Sequence, residues 1–127
     1  MDLVNNAAHV PAAVGPYSQA ARHGGFLFCS GQIPICPESG RIEATDVEGQ
    51  ARQVLANISA LLASQGLEMK DVIKATVFLT SMADFPKVNP VYENAFDSHK
   101  PARSTVAVAA LPLGALVEIE VIAATSA

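Results

Sequence analysis

Glu118 and Glu120 stand two apart in Leu116-Val117-Glu118-Ile119-Glu120-Val121-Ile122, an otherwise apolar run. At the rise of a β-strand this spacing puts both carboxylates on one face, about 6.8 Å apart, and leaves Val117, Ile119 and Val121 on the other. A solvated strand face is the simpler reading of such a pair. In a charge-poor chain, however, a carboxylate among apolar neighbours needs a cation or an upward-shifted pKa, and a raised pKa suits a group that handles protons. The nearest candidate cation is Arg103 in Lys100-Pro101-Ala102-Arg103-Ser104-Thr105, read as the mouth of a strand that pairs with the Glu118 strand in a hairpin. A guanidinium matches the carboxylate of a small acid with two parallel hydrogen bonds. An Arg and a Glu meeting at a sheet mouth suit a 2-oxo or 2-imino acid: one fixes the carboxylate, the other handles a water or a proton. A surface salt bridge is the other use of an Arg just before a strand, and the residues alone leave both open.

Other chemistries find little support. There is no Gly-rich phosphate loop, no pair of His at metal-ligand spacing and no Cys-x-x-Cys, and His9, His23 and His99 are scattered. No metal or nucleotide cofactor is expected. Eight Lys and Arg against twelve Asp and Glu give a formal charge of −4, with no basic stripe for a phosphate backbone, so nucleic-acid binding is not expected. The longest unbroken apolar run, Val106 to Leu111, has six residues, far short of the ~20 of a membrane-spanning helix. Met1 to Asn6 lacks the cations and apolar stretch of a signal peptide, and Cys29 and Cys36 form no disulfide framework. A cytoplasmic location follows as an expectation.

The elements that must position these residues are readable from turn signals. Tyr17–Arg22 and Phe26–Gly31 flank His23-Gly24-Gly25 and read as a β-hairpin. Pro34, Pro37 and Gly40 interrupt the next segment too often for helix or strand. A helix is expected from Asp46 to Gln65, opened by a Thr45…Glu48 capping box and stopped by Gly66, with Val47, Ala51, Val54, Leu55, Ile58, Leu61 and Leu62 on one face. Val72 to Thr80 is a strand with Ile73, Ala75, Val77 and Leu79 inward. A second helix starts at Asp84 or Asn89, with Pro86 and Pro90 tolerated only in its first turn, and buries Val91, Tyr92, Ala95 and Phe96. Ser104–Ala110 and Leu116–Ala124 complete the order ββαβαββ, an α+β mixed sheet with two helices on one face.

All 127 residues fit one domain, residues 1–127. Only 16% are charged and half are hydrophobic, with a mean hydropathy of +0.31, where about 25% charged is usual. The second sheet face therefore needs a cover, and a neighbouring copy of the chain is the obvious one.

Five segments, in order and spacing, resemble the RidA (YjgF, L-PSP) family of reactive-intermediate deaminases: Gly15-Pro16-Tyr17-Ser18-Gln19, Ser30-Gly31-Gln32-Ile33-Pro34, Asn89 ahead of Tyr92-Glu93, Pro101-Ala102-Arg103-Ser104, and Glu118-Ile119-Glu120. The resemblance runs from about Ala12 to Ala124. It implies a chorismate-mutase-like (YjgF-type) α+β fold and a homotrimer whose sheets pack inward as a barrel, with a cleft between each pair of subunits. It also implies hydrolysis of enamines and imines such as 2-aminoacrylate and 2-iminobutanoate to 2-oxo acids and ammonia, a damage-control activity that needs no cofactor. PLP-dependent dehydratases release these substrates and are indirect partners. By the same resemblance Arg103 holds the substrate carboxylate, Glu118 positions or activates the water, and Tyr17, Ser30, Gly31 and Asn89 shape the cleft. Thr105 occupies a substrate-side position where many members carry Cys, and the loop Asp97-Ser98-His99-Lys100 is shorter than in familiar members. A noncatalytic 2-oxo acid sensor using the same Arg103 is the alternative. An endoribonuclease or translation inhibitor, as some members have been called, fits the negative charge less well.

Overall fold

The computed structural model describes residues 1–125. A six-stranded sheet carries both helices on one face. Its strands are β1 (Asp2–Val4), β2 (Ala20–His23), β3 (Phe26–Cys29), β6 (Val72–Leu79), β7 (Ala102–Ala107) and β8 (Val117–Ala124), in the spatial order β1-β2-β3-β8-β6-β7. A separate two-stranded hairpin, β4 (Ile35–Cys36) with β5 (Arg41–Ile42), lies in the Pro-interrupted segment expected to hold neither helix nor strand. β1 is a further addition to the expected order. It replaces a polar arm, held by backbone pairing to β2 and by the buried Gln19 side chain, which donates to Pro11 O at 2.8 Å and accepts from Ala7 N at 3.0 Å.

The β2–β3 hairpin turns through Gly24 and Gly25, both at positive φ (61° and 84°). Such a two-residue turn matches the twist of the flanking strands and favours glycine. β2 starts at Ala20 rather than Tyr17, because Val14–Tyr17 closes into a loop whose Tyr17 amide donates to Gly15 O at 2.9 Å.

α1 (Val47–Ser64) buries the expected apolar stripe against the sheet. Its cap is Asp46, not Thr45: Asp46 is extended and its Oδ1 accepts from the Gly49 amide at 3.3 Å. The carboxylate also meets the positive end of the helix dipole, which a threonine hydroxyl would not. Asp46→Ala is expected to cost about 1 kcal/mol, read as a fall of a few degrees in Tm. At the other end Gly66 (φ 73°) carries the chain through the left-handed region, with Leu67 N bonded to Leu62 O at 2.9 Å and Gly66 N to Ala63 O at 3.0 Å.

α2 (Phe85–Phe96) begins after Asp84, so Asn89 is not a cap but lies within the helix. Pro86 sits in the first turn, but Pro90 is inside the helix, contrary to expectation. The missing amide of Pro90 forgoes a bond to the carbonyl four residues back, and packing of Val88, Tyr92 and Phe96 into the core offsets that loss. In β6 the inward set is Val72, Ala75, Val77 and Leu79, and Ile73 is exposed. A bulge between Val72 and Lys74 breaks the alternation there.

The largest correction concerns the last two strands. They do not form a hairpin: β7 runs parallel to β6, and β8 lies antiparallel on the other side of β6. A strand, helix and strand in succession bring the second strand back parallel to the first, so β6-α2-β7 fills one edge of β6 and leaves β8 the other.

The sheet face away from the helices is uncovered. Register aligns Val106, Phe78 and Glu118 in one row, and Ser104, Thr76 and Glu120 in the next. Phe26 and Phe28 on β3, Ile73 on β6 and Val106 on β7 are 41–45% exposed, enough large apolar surface to account for the sparse charge of the chain.

Candidate active site

Glu118 and Glu120 project from β8 onto this open face while Val117, Ile119 and Val121 are buried. The Glu118 carboxylate lies directly over Gly31. A Cβ at that position would overlap the carboxylate and stand 2.9 Å from its Cδ, so only glycine leaves the acid its seat. Two backbone bonds fix the approach: Gln32 N donates to Ile119 O at 2.8 Å and Ile119 N to Gln32 O at 3.1 Å. Burial, with repulsion from Glu120 as a second cause, pushes Glu118 above the ordinary carboxylate range.

Tyr17, Ser30 and Gly31 share a cavity of about 490 Å³ with Glu118 and Glu120, walled by Val14, Ile33 and Pro112. The Tyr17 phenol oxygen accepts from Val14 N at 3.2 Å. The Ser30 hydroxyl donates to Ser18 O at 2.7 Å, which leaves its oxygen lone pairs to accept from a ligand.

Arg103 lies elsewhere. Its register partner Ala75 is buried, and its side chain reaches α2 on the helix-bearing side of the sheet. Nη1 donates to Asn89 Oδ1 at 2.9 Å, and Cζ stands 4.8 Å from the centroid of the Tyr92 ring and 5.4 Å from that of Phe85. Among the described residues Arg103 has no carboxylate partner. Arg103 and Asn89 line a second cavity of about 490 Å³ with Tyr92, Glu93, His99 and Lys100. Thr105, two residues along the same strand, is half-buried; its Oγ1 has no hydrogen-bond partner.

Arg103 and Glu118 therefore do not meet at a hairpin mouth. They occupy opposite faces of the sheet, on strands separated by β6, with a register offset from Ala75 to Phe78, about 10 Å along the strand and about 10 Å across it. The expected residues fall into two clusters: Tyr17, Ser30, Gly31 and Glu118 in one, Asn89 and Arg103 in the other.

A family model described as Endoribonuclease L-PSP matches residues 7–125. The chain belongs to the L-PSP family. Its fold is that of solved members: the YjgF protein of Escherichia coli, 42% identical, superposes with a TM-score of 0.92 over 99% of this chain and 100% of its own. Escherichia coli TdcF, solved with bound serine, is 44% identical with a TM-score of 0.92, over 99% of this chain and 100% of its own. Reactive Intermediate Deaminase A, chloroplastic, of Arabidopsis thaliana is 46% identical over 113 residues, 89% of this chain and 60% of that protein. The L-PSP family and its YjgF/Rid members are thus the relatives of this chain.

Two features of this L-PSP site escaped the sequence reading. Phe85 and Tyr92 lie against Arg103; their signal was the spacing Phe85-x-x-x-Asn89-x-x-Tyr92, which puts all three side chains on one helix face. The Gln32–Ile119 pairing that presses Gly31 onto Glu118 had no local signal. Cys29 is buried, its thiol pushed up to about 12, and Cys36 Sγ lies 3.2 Å from Glu38 Oε2, away from both clusters. Among the described residues no three His, Cys, Asp or Glu side chains gather as a metal site, and no helix is long and apolar enough to cross a membrane.

The raised pKa of Glu118 has a measurable consequence if its carboxylate form does the work. Activity falls as pH drops through that pKa, so the acidic limb of kcat/KM lies above the ordinary glutamate range. Glu120→Gln removes the like charge, lowers the Glu118 pKa and moves the limb to lower pH; a limb that stays in place shows that Glu118 is not its source.

Proposed function

We propose that this chain hydrolyses reactive enamines and imines of small amino acids, 2-aminoacrylate and 2-iminobutanoate among them, to 2-oxo acids and ammonia. It acts as a 2-iminobutanoate/2-iminopropanoate deaminase in a cleft that two copies of the chain build together. The observation that carries this reading is Arg103. A guanidinium with no carboxylate partner among the described residues, making one hydrogen bond to Asn89 and lining an open cavity, is suited to an incoming carboxylate. The names of the relatives, a reactive intermediate deaminase and a protein solved with bound serine, support the same class of ligand.

Arg103 binds the substrate carboxylate and so fixes the adjacent imine carbon. The iminium carbon is electrophilic, and the remaining tasks are to orient a water about 3–3.5 Å from it and to accept a proton. Glu118 accepts a hydrogen bond from that water, then its proton as oxygen bonds to carbon and the C=N electron pair moves to nitrogen. The proton passes to the amine of the carbinolamine; the C–N bond then breaks and ammonia leaves as the hydroxyl gives its proton to Glu118 and the carbonyl forms. One water is consumed for each ammonia released. An enamine enters this sequence once its β-carbon is protonated. A carboxylate whose pKa is raised by burial is a stronger base than an exposed one and takes the water's proton at a lower cost in driving force. Tyr17 and Ser30 line the cavity that holds the Glu118 carboxylate and help to order the water there.

The opposite-face placement of Arg103 and Glu118 is accounted for by a homotrimer. The open sheet faces pack inward, and the Arg103 cluster of one copy meets the Glu118 cluster of the next across a heterologous contact that closes as a ring. This arrangement also covers the exposed Phe26, Phe28, Ile73 and Val106.

The test couples the purified protein to a PLP-dependent threonine dehydratase with threonine and traps 2-iminobutanoate as its semicarbazone. The protein is expected to lower the trapped fraction and raise 2-oxobutanoate. Unchanged trapping by a protein that binds 2-oxobutanoate would point instead to a sensor.

A further inference from the structure

Arg103 stands on an edge strand, and a long side chain there carries rotamer entropy that binding must remove unless the protein has already done so. Three residues of α2 restrain it. Phe85, Asn89 and Tyr92 follow at steps of four and three, so all face β7. Asn89 takes one N–H at 2.9 Å, and the Tyr92 and Phe85 rings lie 4.8 and 5.4 Å from Cζ.

We propose that Tyr92 is a positioning residue for Arg103: its ring, with that of Phe85, is an aromatic seat that holds the guanidinium through its charge and leaves its N–H donors for the substrate carboxylate. This rests on the reading of Arg103 as the carboxylate-binding group.

A carboxylate in the same place would hold the cation too, but it would take up the donors the substrate needs. An aromatic face attracts the cation through its quadrupole and accepts no N–H at the edge. The ring is itself well anchored. Tyr92 is buried, and its ring packs on Phe96 with centroids 4.6 Å apart. Its hydroxyl has no hydrogen-bond partner, so the phenol oxygen does not fix the ring. Burial also raises the phenol pKa despite the opposing Arg103 charge, so Tyr92 meets the cation as a neutral π face and not as a phenolate.

The proposal separates the ring from the hydroxyl. Tyr92→Phe keeps the face and is expected to bind 2-oxobutanoate within about twofold of wild type, whereas Tyr92→Leu keeps apolar volume but loses the face and weakens binding about 3- to 30-fold. Phe85→Leu, at the more distant ring, gives a smaller loss and serves if Tyr92→Leu does not fold. The second readout needs no ligand. In the proton–nitrogen NMR spectrum the Arg103 Nε–Hε signal is shifted by the ring current in wild type and Tyr92→Phe, and moves toward the free-arginine position in Tyr92→Leu.

A folded Tyr92→Leu protein that keeps both wild-type affinity and the shifted Arg103 signal overturns the proposal. So does a Tyr92→Phe protein that loses affinity as severely as Tyr92→Leu. Failure of the underlying functional reading looks different: wild type then binds no 2-oxobutanoate, while the Arg103 signal still responds to Tyr92.

Discussion

Arg103→Ala is expected to lower kcat/KM on dehydratase-generated 2-iminobutanoate by two to three orders of magnitude, about 3–4 kcal/mol, from the loss of a charge-assisted contact to the substrate carboxylate. Asn89, the side chain bonded to Arg103, is uncharged and does not replace it. Arg103→Lys keeps the charge but loses the planar fork, and is expected to fall between the two. Semicarbazide competition measures all three proteins under one set of conditions. Fold stability changes little, since Arg103 is exposed and its removal leaves no carboxylate unpaired among the described residues.

Gly31→Ala tests the other cluster with a single methyl group. Gly31 is not at positive φ, so alanine fits its backbone. The added Cβ meets the far end of the Glu118 side chain, which can move aside. The variant is expected to fold with a Tm close to wild type while its carboxylate is displaced by about 1 Å or more. A misplacement of that size costs on the order of 100-fold in kcat. Binding of 2-oxobutanoate through Arg103 should be retained, which distinguishes this loss from that of Arg103→Ala. Near-wild-type kcat in Gly31→Ala would show that the seat of Glu118 has no part in turnover.

How much of this was legible in the sequence depended on whether the signal was local. The Gly24-Gly25 turn, the apolar stripe of α1 and the Gly66 stop each lie within a few residues of what they determine, and all were read correctly. The strand order was not, because β7 and β8 are neighbours in sequence but are separated in space by β6; the α2 crossover decides this. The hairpin assumption brought Arg103 and Glu118 together at one sheet mouth, and the parallel β6–β7 pairing sets them on opposite faces. The helix cap moved by one residue because Thr45 and Asp46 are both good caps, and only the Asp46–Gly49 bond chooses between them. Periodicity marks Tyr92 as a buried ring without saying that a cation rests on it, and Phe85, in the first turn of α2, has no such mark.

The site shared between copies is tested most directly by complementation. Arg103→Ala and Glu118→Ala proteins, each inactive alone, are co-expressed with different tags and the doubly tagged assemblies isolated. If each site draws Arg103 from one copy and Glu118 from the next around a ring of three, every mixed trimer restores one of its sites, about one third, and the isolated mixed assemblies recover a corresponding share of wild-type deamination. Mixed assemblies that remain as inactive as the two single variants would contradict the account.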